Sequence, residues 1–368
     1  MSRTRTITVA LAAAGVAVVL IALRAPLRRA GYRAGLRDTA ELRPVPVGEF
    51  IGTAFIGGFR AVGVNVAWVR AMRLQQEQKW YELLTLYNLI ANLQPRMEPV
   101  WVFNAWNMAY NISNAVDDDA TAWEWVKRGL EFLTRGCERN PRSWRLRTTL
   151  AQMYFTRCGS INDDRTRYYH RRLLEETGRS NWEWCIEWTR RAIELSDEVP
   201  TYSRNYIAVS FDRMARQALW AGDIEQMRAL RYQAIQEWRR ILADFPDYEP
   251  AMNYANDSEA RLSAYDLRDQ AAQRAAAGDL EGWLQLAGEI TKIWERLLAA
   301  DPWDDETVER LKEMANGYAE HAPALQAAGM DSQAAWCLRE SDRLWRLLAQ
   351  RTTDEEAAAY LGQVPSPE

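Results

Sequence analysis

An internal repeat constrains the fold of this chain more than any other feature of its sequence. Three times in the C-terminal half a glycine is followed 16 residues later by a tryptophan: Gly222 and Trp238, Gly278 and Trp294, and Gly329 and Trp345. In the first two copies a proline follows eight residues after the tryptophan, at Pro246 and Pro302. The glycines lie 56 and then 51 residues apart. Recurrence of this kind indicates a series of similar structural units.

Each copy predicts the same helical hairpin. The glycine suits the left-handed position that ends a helix. The aspartates that follow, Asp223, Asp279 and Asp331, are good N-cap residues for a second helix. The tryptophan and the aliphatic residues three and four positions later lie on one helical face, and the proline ends the helix. A single hairpin cannot bury that face, so the units are expected to stack.

A weaker form of the same helix ending, in which apolar residues on one helical face are followed by a proline, occurs in the N-terminal half at residues 87–95 and 133–141. We therefore predict six helix pairs: 60–77 with 79–94, 98–114 with 120–139, 143–158 with 181–196, 201–221 with 223–244, 250–277 with 279–300, and 304–328 with 331–350. Residues 163–176 would form an extra helix inserted in the third pair.

The N-terminus has the pattern of a membrane anchor. Residues 7–23 carry no charge, follow Arg3 and Arg5, and are closed by Arg24. Seventeen apolar residues are at the short end for a spanning helix. A cleaved signal peptide is the alternative, but cutting after Ala25 would place Leu23 at position −3, where a small residue is preferred.

The orientation of this anchor stays open. Five arginines follow the span within 14 residues, against two arginines and the terminal amine before it. That count favours a cytoplasmic body. A signal-anchor with its short basic tail inside would give the opposite orientation.

Charge and composition narrow the function. The net charge is −4, yet residues 1–43 carry eight arginines against two acids, so the remaining 325 residues carry about −10. An acidic body argues against binding nucleic acid, and the basic terminus suits an anionic membrane surface. Seventeen tryptophans suit helix packing and partner binding. The cysteines (137, 158, 185 and 337) lack metal-site spacing and read as buried hydrophobic residues.

The hairpin pattern resembles the tetratricopeptide repeat (TPR) over about residues 60–350. The Ala-Gly-Asp turns at 221–223 and 277–279 and the endings before Pro95, Pro246 and Pro302 carry this likeness. The distance from turn to proline is 24 residues, about seven longer than in a standard TPR unit, so longer hairpins are implied.

More narrowly, residues 57–159 resemble a family of bacterial TPR-like proteins with an N-terminal membrane anchor. The matching strings begin at Gly57, Trp68, Leu93 and Trp101. This likeness implies a single-pass protein of the bacterial inner membrane and adds little about function, since the family has no established biochemical activity.

No catalytic motif stands out. The chain has two histidines, His170 and His321, and lacks the common zinc-protease, phosphate-loop, dinucleotide and serine-hydrolase motifs. Acidic pairs such as Asp163-Asp164 and Asp304-Asp305 fall at predicted helix starts, where carboxylates cap the helix and interact favourably with its dipole. We expect no enzyme activity, no cofactor, no metal and no small-molecule substrate.

Asparagine forms the most distinctive candidate site. Asn104, Asn107, Asn111 and Asn114 fall on one stripe of one first helix. Asparagine disfavours helices, so the stripe needs a reason. One is docking of a peptide backbone by paired donors and acceptors, with Arg70, Arg145 and Arg147 adding charge for an acidic partner. The other is hydrogen bonding between helices of the solenoid.

We therefore expect an all-α fold: a right-handed α-solenoid of elongated TPR-like helical hairpins behind one N-terminal transmembrane helix. The expected domains are an anchor (1–24), a basic juxtamembrane segment and Gly/Pro linker (25–58), the helical-repeat domain (59–353) and a C-terminal tail (354–368). The expected function is a membrane-tethered scaffold that binds protein or peptide partners through its concave face, in assembly of a cell-envelope complex. The alternative is a structural subunit buried permanently in an oligomeric membrane-associated assembly.

Overall fold

A computed structural model describes residues 60–159 and 163–363, and these residues are helical with no strand among them. The predicted membrane span at 7–23 and the linker lie outside the described residues. Within those residues, no helix is both long enough and apolar enough to cross a bilayer. The chain divides into two compact units, residues 1–93 and 94–368.

The described part of the first unit is one hairpin. Helix α1 (Arg60–Gln76) packs against α2 (Trp80–Leu93). The interface buries small and branched side chains of α1 against Leu83, Tyr87 and Ile90 of α2. The rings of Trp68 and Tyr87 lie 6.5 Å apart across it.

The second unit is a succession of helices: α3 (Glu98–Trp106), continued by a π-helical turn (Asn107–Ile112), α4 (Asp119–Arg139), α5 (Trp144–Arg157), α6 (Asp164–Thr177), α7 (Asn181–Ile193), α8 (Thr201–Trp220), α9 (Ile224–Asp244), α10 (Glu249–Ala276), α11 (Leu280–Ala300), α12 (Asp305–Ala327), α13 (Asp331–Arg351) and α14 (Glu355–Gln363). The described helices agree with the predicted pairs to within three residues at each end. Helix α6 is the predicted insertion.

Packing in this unit follows chain order. From α7 onward, each helix packs against the next one along the chain, and α7 also packs against α5. One cluster of buried side chains runs from Ile186 of α7 to Ala357 of α14. The unit is therefore all-helical and repeat-like, with packing mainly between successive helices.

The turns of the three repeats form as the sequence predicts. Gly222, Gly278 and Gly329 have φ angles of 80°, 75° and 75°. The residue after each glycine donates its N–H to the carbonyl five residues earlier, as from Asp223 to Ala218 (2.9 Å). This hydrogen-bond pattern is typical of a helix that ends at a glycine in the left-handed conformation.

The predicted N-cap residue is confirmed in two of the three repeats. Asp223 and Asp279 each accept a backbone N–H at 2.9 Å, from Gln226 and Gly282. The prediction for Asp331 is wrong, because α13 begins at Asp331 and Met330 occupies the cap position. In this copy one extra residue separates the glycine from the aspartate, which places Asp331 inside the first turn.

The repeat tryptophans are buried as predicted. Trp238, Trp294 and Trp345 are buried, and so are the aliphatic residues three positions later. The four cysteines are all buried and free, in agreement with the sequence. Asp163 and Asp304, predicted from the sequence to cap, each accept a backbone N–H at a helix start, and so does Asp118.

Helix α14 lies in the region expected to be a C-terminal tail. Asp354 caps its start by accepting the Ala357 N–H (2.9 Å). The Tyr360 ring stacks on Trp345 of α13 at 5.4 Å, and Ala357 is fully buried. A cap and one aromatic contact thus order a helix that the repeat pattern does not extend to.

Candidate functional site

The predicted asparagine stripe is divided between the interior and the surface. Asn104 and Asn107 are buried, whereas Asn111 and Asn114 are exposed. The reason is the π-helical turn at Asn107–Ile112, because its wider turn does not preserve the three- and four-residue spacing of an α-helix. The regular stripe expected from the sequence is therefore interrupted after Asn107.

The turn is held by its own side chains and by a neighbouring helix. Asn111 donates to Asn107 Oδ1 (2.6 Å), and the Tyr110 hydroxyl lies 2.5 Å from Thr156 Oγ1 of α5. The rings of Trp106 and Tyr110 stack at 3.9 Å. Burial raises the pKa of Tyr110 to about 12, so this hydroxyl stays protonated and able to donate.

Arg157 organises the end of this segment, although the sequence did not single it out. Its guanidinium donates to Asn114 Oδ1 (2.6 Å) and to Ser113 Oγ (2.8 Å). It also lies over the rings of Tyr110 and Tyr169 at 5.4 and 5.1 Å. Asn114 is thus exposed yet already engaged in a bond between helices.

Asn104 is the unusual member of the set. It is fully buried, and neither its amide nitrogen nor its oxygen has a hydrogen-bond partner among the described residues. An unpaired buried amide is costly. Asn104 and Asn107 are buried, so they do not form part of an exposed stripe. The alternative was hydrogen bonding between helices, and Asn104 makes no such bond among the described residues. Docking stays a prediction for Asn111 and Asn114.

The three predicted arginines occupy different surroundings. Arg70 is exposed on α1 of the first unit. Arg145 is exposed on α5, with its guanidinium over the Trp144 ring at 4.5 Å. Arg147 is half-buried and donates to the carbonyls of Ser143 (2.8 Å) and Asn140 (3.4 Å). Burial lowers the pKa of Arg147, and its role is to close the turn between α4 and α5.

A second candidate site was not predicted from the sequence. A cavity of about 780 Å³ lies among α8, α10 and the junction of α11 with α12. Helices α8, α10 and α12 are the first helices of three successive hairpins. The cavity is therefore lined mainly by residues of first helices.

A buried ion network forms one wall of this cavity. Arg231 of α9 makes two parallel hydrogen bonds of 2.8 Å to Glu306 of α12, and both side chains are almost completely buried. The Tyr265 hydroxyl donates to the same carboxylate (2.9 Å). Burial opposes the charge of Glu306, but Arg231 and Arg261 outweigh it and hold the pKa at about 2.

The network extends to the start of α12. Arg261 pairs with Asp304 (2.8 Å) and with Glu306 (3.1 Å). Arg216 of α8 also pairs with Asp304 (2.8 Å). Burial by itself would raise the pKa of Asp304, but the guanidinium groups of Arg261 and Arg216 outweigh it. The pKa of Asp304 is therefore lowered. Three arginines and two carboxylates of this wall are thus mutually paired.

Other charges that line the cavity lack such partners. Arg213, Asp212, Glu249, Asp257 and Asp301 have no ion pair within the described parts of the chain. Asp212 accepts only from uncharged donors, Trp238 Nε1 and Ser258 Oγ, both at 3.3 Å. Burial raises the pKa values of Asp212 and Asp257, and burial together with Arg216 lowers the pKa of Arg213. The cavity therefore presents four carboxylates and one guanidinium without an ion pair: Asp212, Arg213 and Asp257 are partly buried, and Glu249 and Asp301 are exposed.

An aromatic ring borders these charges. Tyr254 of α10 lines the cavity, is half-exposed, and stacks on buried Trp238 at 5.1 Å with the planes 12° apart. The stacking fixes the ring at the edge of the acidic wall. A cation that enters the cavity would thus meet carboxylates and a π-face, both of which attract it.

The sequence holds only a weak signal for this site. Asp212 and Arg216, and likewise Asp257 and Arg261, are four residues apart on first helices. Such spacing is the ordinary mark of a solvated helix face. Only packing shows that the arginines turn to Asp304 and Glu306 instead.

His321 has a structural environment. Its ring stacks on Trp283 at 3.9 Å, and Nδ1 lies 2.8 Å from the Gly317 carbonyl. Among the described residues, no group of histidines, cysteines and acids has the arrangement of a metal site.

Comparison with known proteins gives no assignment: no protein-family model matches the chain, and no curated protein matches it.

Proposed function

We propose that this protein is a membrane-tethered scaffold, a right-handed TPR-like solenoid that binds a segment of a protein partner, in the assembly of a cell-envelope complex. The N-terminal apolar segment supplies the tether. The repeat-like packing of long hairpins supports the solenoid, and the cavity on its first helices supplies the binding site. The proposal includes no catalytic step.

The observation that carries this proposal is the set of unpaired charges lining the cavity. A folded chain pairs its buried charges because an unpaired one loses hydration without compensation. Here Asp212 and Asp257, both partly buried, have no ion pair although they lie beside arginines that pair with other carboxylates. Charges left in this state in a cavity are a common mark of a recognition site.

The balance of charge indicates the chemistry of the bound segment. The unpaired groups are four carboxylates and one guanidinium, and the paired wall has three guanidinium groups against two carboxylates. The cavity and its wall therefore keep a net charge of −2, which attracts a basic side chain more than an acidic one. A lysine or arginine from the partner would pair with Asp257 and Asp212 and lie against Tyr254. A charge-assisted hydrogen bond of this kind contributes about 1.5–3 kcal/mol.

The test is co-purification from detergent-solubilised membranes with an Asp257→Asn variant, quantified by mass spectrometry. Partner recovery should fall about tenfold, since losing one such bond corresponds to at least that factor. The melting temperature should not fall, because the substitution removes a desolvated charge that has no ion-pair partner. Asp247→Asn is the matched control, since Asp247 is exposed and outside the cavity.

Equal recovery of every partner by Asp257→Asn and the control would exclude the cavity as the docking site. An Asn111→Ala variant run in parallel tests the exposed part of the asparagine set. Loss of partners in that variant alone would move the site to the π-helical turn.

A structural subunit is the second candidate, and exposed aromatic side chains favour it. Trp303 and Tyr202 are 68% and 64% exposed, and Trp220 is 51% exposed. Surfaces of this type are often covered in permanent assemblies. Light scattering of the detergent-solubilised protein separates the two, because a permanent assembly would run as a fixed oligomer and a scaffold with an open cavity as a monomer.

A further inference from the structure

Helix α1 carries apolar side chains on two opposite faces. Val64, Ala67, Ala71 and Leu74 are buried in the hairpin. Val66, Val69 and Met72 are 62%, 57% and 56% exposed. At 100° per residue the two sets are centred about 180° apart. The exposed apolar residues therefore form a face of α1 separate from the buried one, and the packing of α1 on α2 does not cover that face.

The charges of α1 all have one sign. The helix has three arginines and neither aspartate nor glutamate. Arg70 and Arg73 lie on the flank of the exposed apolar face, close in angle to Val66. Neither makes an ion pair among the described residues, and the nearby Glu77 is paired with Lys79 at 2.9 Å. A helix with an exposed apolar face beside unpaired arginines is typical of binding to an anionic lipid surface.

The position of α1 in the chain points to the same occupant. It begins 37 residues after Leu23, the end of the predicted membrane span, and the intervening segment is rich in arginine. The bilayer that receives the span is thus within reach of α1. A basic segment followed by an apolar and basic helix is the order expected of a surface attachment that adds to a tether.

We propose that α1 lies on the anionic surface of the membrane. Val66, Val69 and Met72 enter the boundary between headgroups and acyl chains, and Arg70 and Arg73 bind lipid phosphate groups. This inference rests on the tether of the proposed function and adds a second attachment, which holds the first hairpin against the bilayer. Arg70 then serves lipid binding rather than partner binding.

The test places a nitroxide spin label at position 69 in the full-length protein, as Val69→Cys, in nanodiscs of phosphatidylcholine with phosphatidylglycerol. The four native cysteines are buried, which directs the label to the new thiol. Accessibility to oxygen, which is enriched in lipid, is compared with accessibility to a water-soluble nickel chelate. Tyr232→Cys is the control, since Tyr232 is 59% exposed on α9 of the second unit.

The oxygen-to-nickel ratio should be several-fold higher at position 69 than at position 232. It should fall in discs of phosphatidylcholine alone, and also when Arg70→Gln and Arg73→Gln are combined with the label. Access of the nickel chelate to position 69 equal to that at position 232 would overturn the inference. A label shielded from both reagents would also overturn it, because a protein surface would then cover this face.

The outcome separates this inference from the functions on which it rests. A protein that fails to enter the discs or to float with anionic vesicles has no tether, and both proposals fall. A protein that inserts with position 69 in water refutes the surface attachment alone. A defect of the cavity would change partner recovery and leave the label in lipid.

Discussion

Glu306 and Asp212 illustrate at the scale of single residues what burial does to a carboxylate in this protein. Glu306 receives Arg231, Arg261 and the Tyr265 hydroxyl, and its pKa falls to about 2. Asp212 receives only an indole and a hydroxyl, and burial raises its pKa. Arg231 is 75 residues away from Glu306 in the chain, so no local pattern predicts which carboxylate obtains a cation.

Replacing Arg231 with methionine should destabilise the fold by about 3 kcal/mol, because it leaves a buried carboxylate with fewer partners. The double variant Arg231→Met/Glu306→Leu should recover most of that loss, since a packed apolar pair can replace a buried ion pair. Chemical denaturation measures both. Arg239→Met is the control on the same helix: its pair with Glu259 is exposed, so less than about 1 kcal/mol should be lost. A loss as large for Arg239 as for Arg231 would contradict this account.

The same carboxylate predicts a dependence of stability on pH. The pKa of Glu306 is depressed from 4.5 to about 2 on folding, so its contribution to stability is complete above pH 4.5. That contribution should be lost as the pH falls from 4.5 towards 2, at roughly 1.4 kcal/mol per pKa unit. Denaturation at pH 5 and pH 3 should show a larger loss in the wild type than in Arg231→Met/Glu306→Leu. Equal losses would mean that Glu306 is not ionised in the folded protein.

Single helices follow largely from local signals. The glycine turns, the capping aspartates and the proline stops predicted helix ends that agree to within three residues. Two local details were not predicted from the sequence. Asp331 lies one residue too late to cap α13, and the π-helical turn at Asn107–Ile112 has no clear sequence mark. That turn decides which asparagines reach the surface, so half of the predicted docking stripe depends on it.

Glycine substitutions test this local control. Gly278→Ala should destabilise the protein by about 1 kcal/mol, because φ is 75° there while the space around the Cα is open. Gly288→Ala is the matched control within α11, where the space is equally open and the backbone is helical. It should stabilise by about 0.5–1 kcal/mol. Thermal denaturation reports both signs, and a gain from Gly278→Ala would show that the turn does not need a left-handed residue.

At the scale of the whole molecule, the described helices of the second unit pack mainly against their successors, and one buried ion network joins α9 to α12. The main core of this unit runs from α7 to α14, and packing contacts follow chain order. Helix α14 closes the C-terminal end of the described stack. Lys312 of α12 pairs with Asp354 (2.7 Å) and Glu356 (3.0 Å), and Tyr360 covers Trp345. Stability in such a stack is close to a sum of units and of interfaces between adjacent units.

Deletion of residues 354–368 should therefore have a graded effect. Amide hydrogen exchange measured by mass spectrometry should speed up in α12 and α13, which lose direct contacts. Exchange in α3, α4 and α5 should stay at the wild-type rate, since several interfaces separate them from the deletion. Uniform acceleration along the unit would indicate a single cooperative core instead of a stack.

The sequence by itself determined the helices, their pairing into hairpins, the glycine turns and the buried tryptophan face. The helices and turns depend mainly on signals within one hairpin, and helical spacing, caps and stops encode them directly. Only the tertiary structure decided that Arg216, Arg231 and Arg261 pair with Asp304 and Glu306, and that Asp212, Arg213 and Asp257 are left unpaired in a cavity. The physical reason is that the local sequence around a charged helical residue does not show whether its side chain faces water or a neighbouring repeat. Its partner is chosen by side chains 43 to 88 residues away, which meet it only when the hairpins stack.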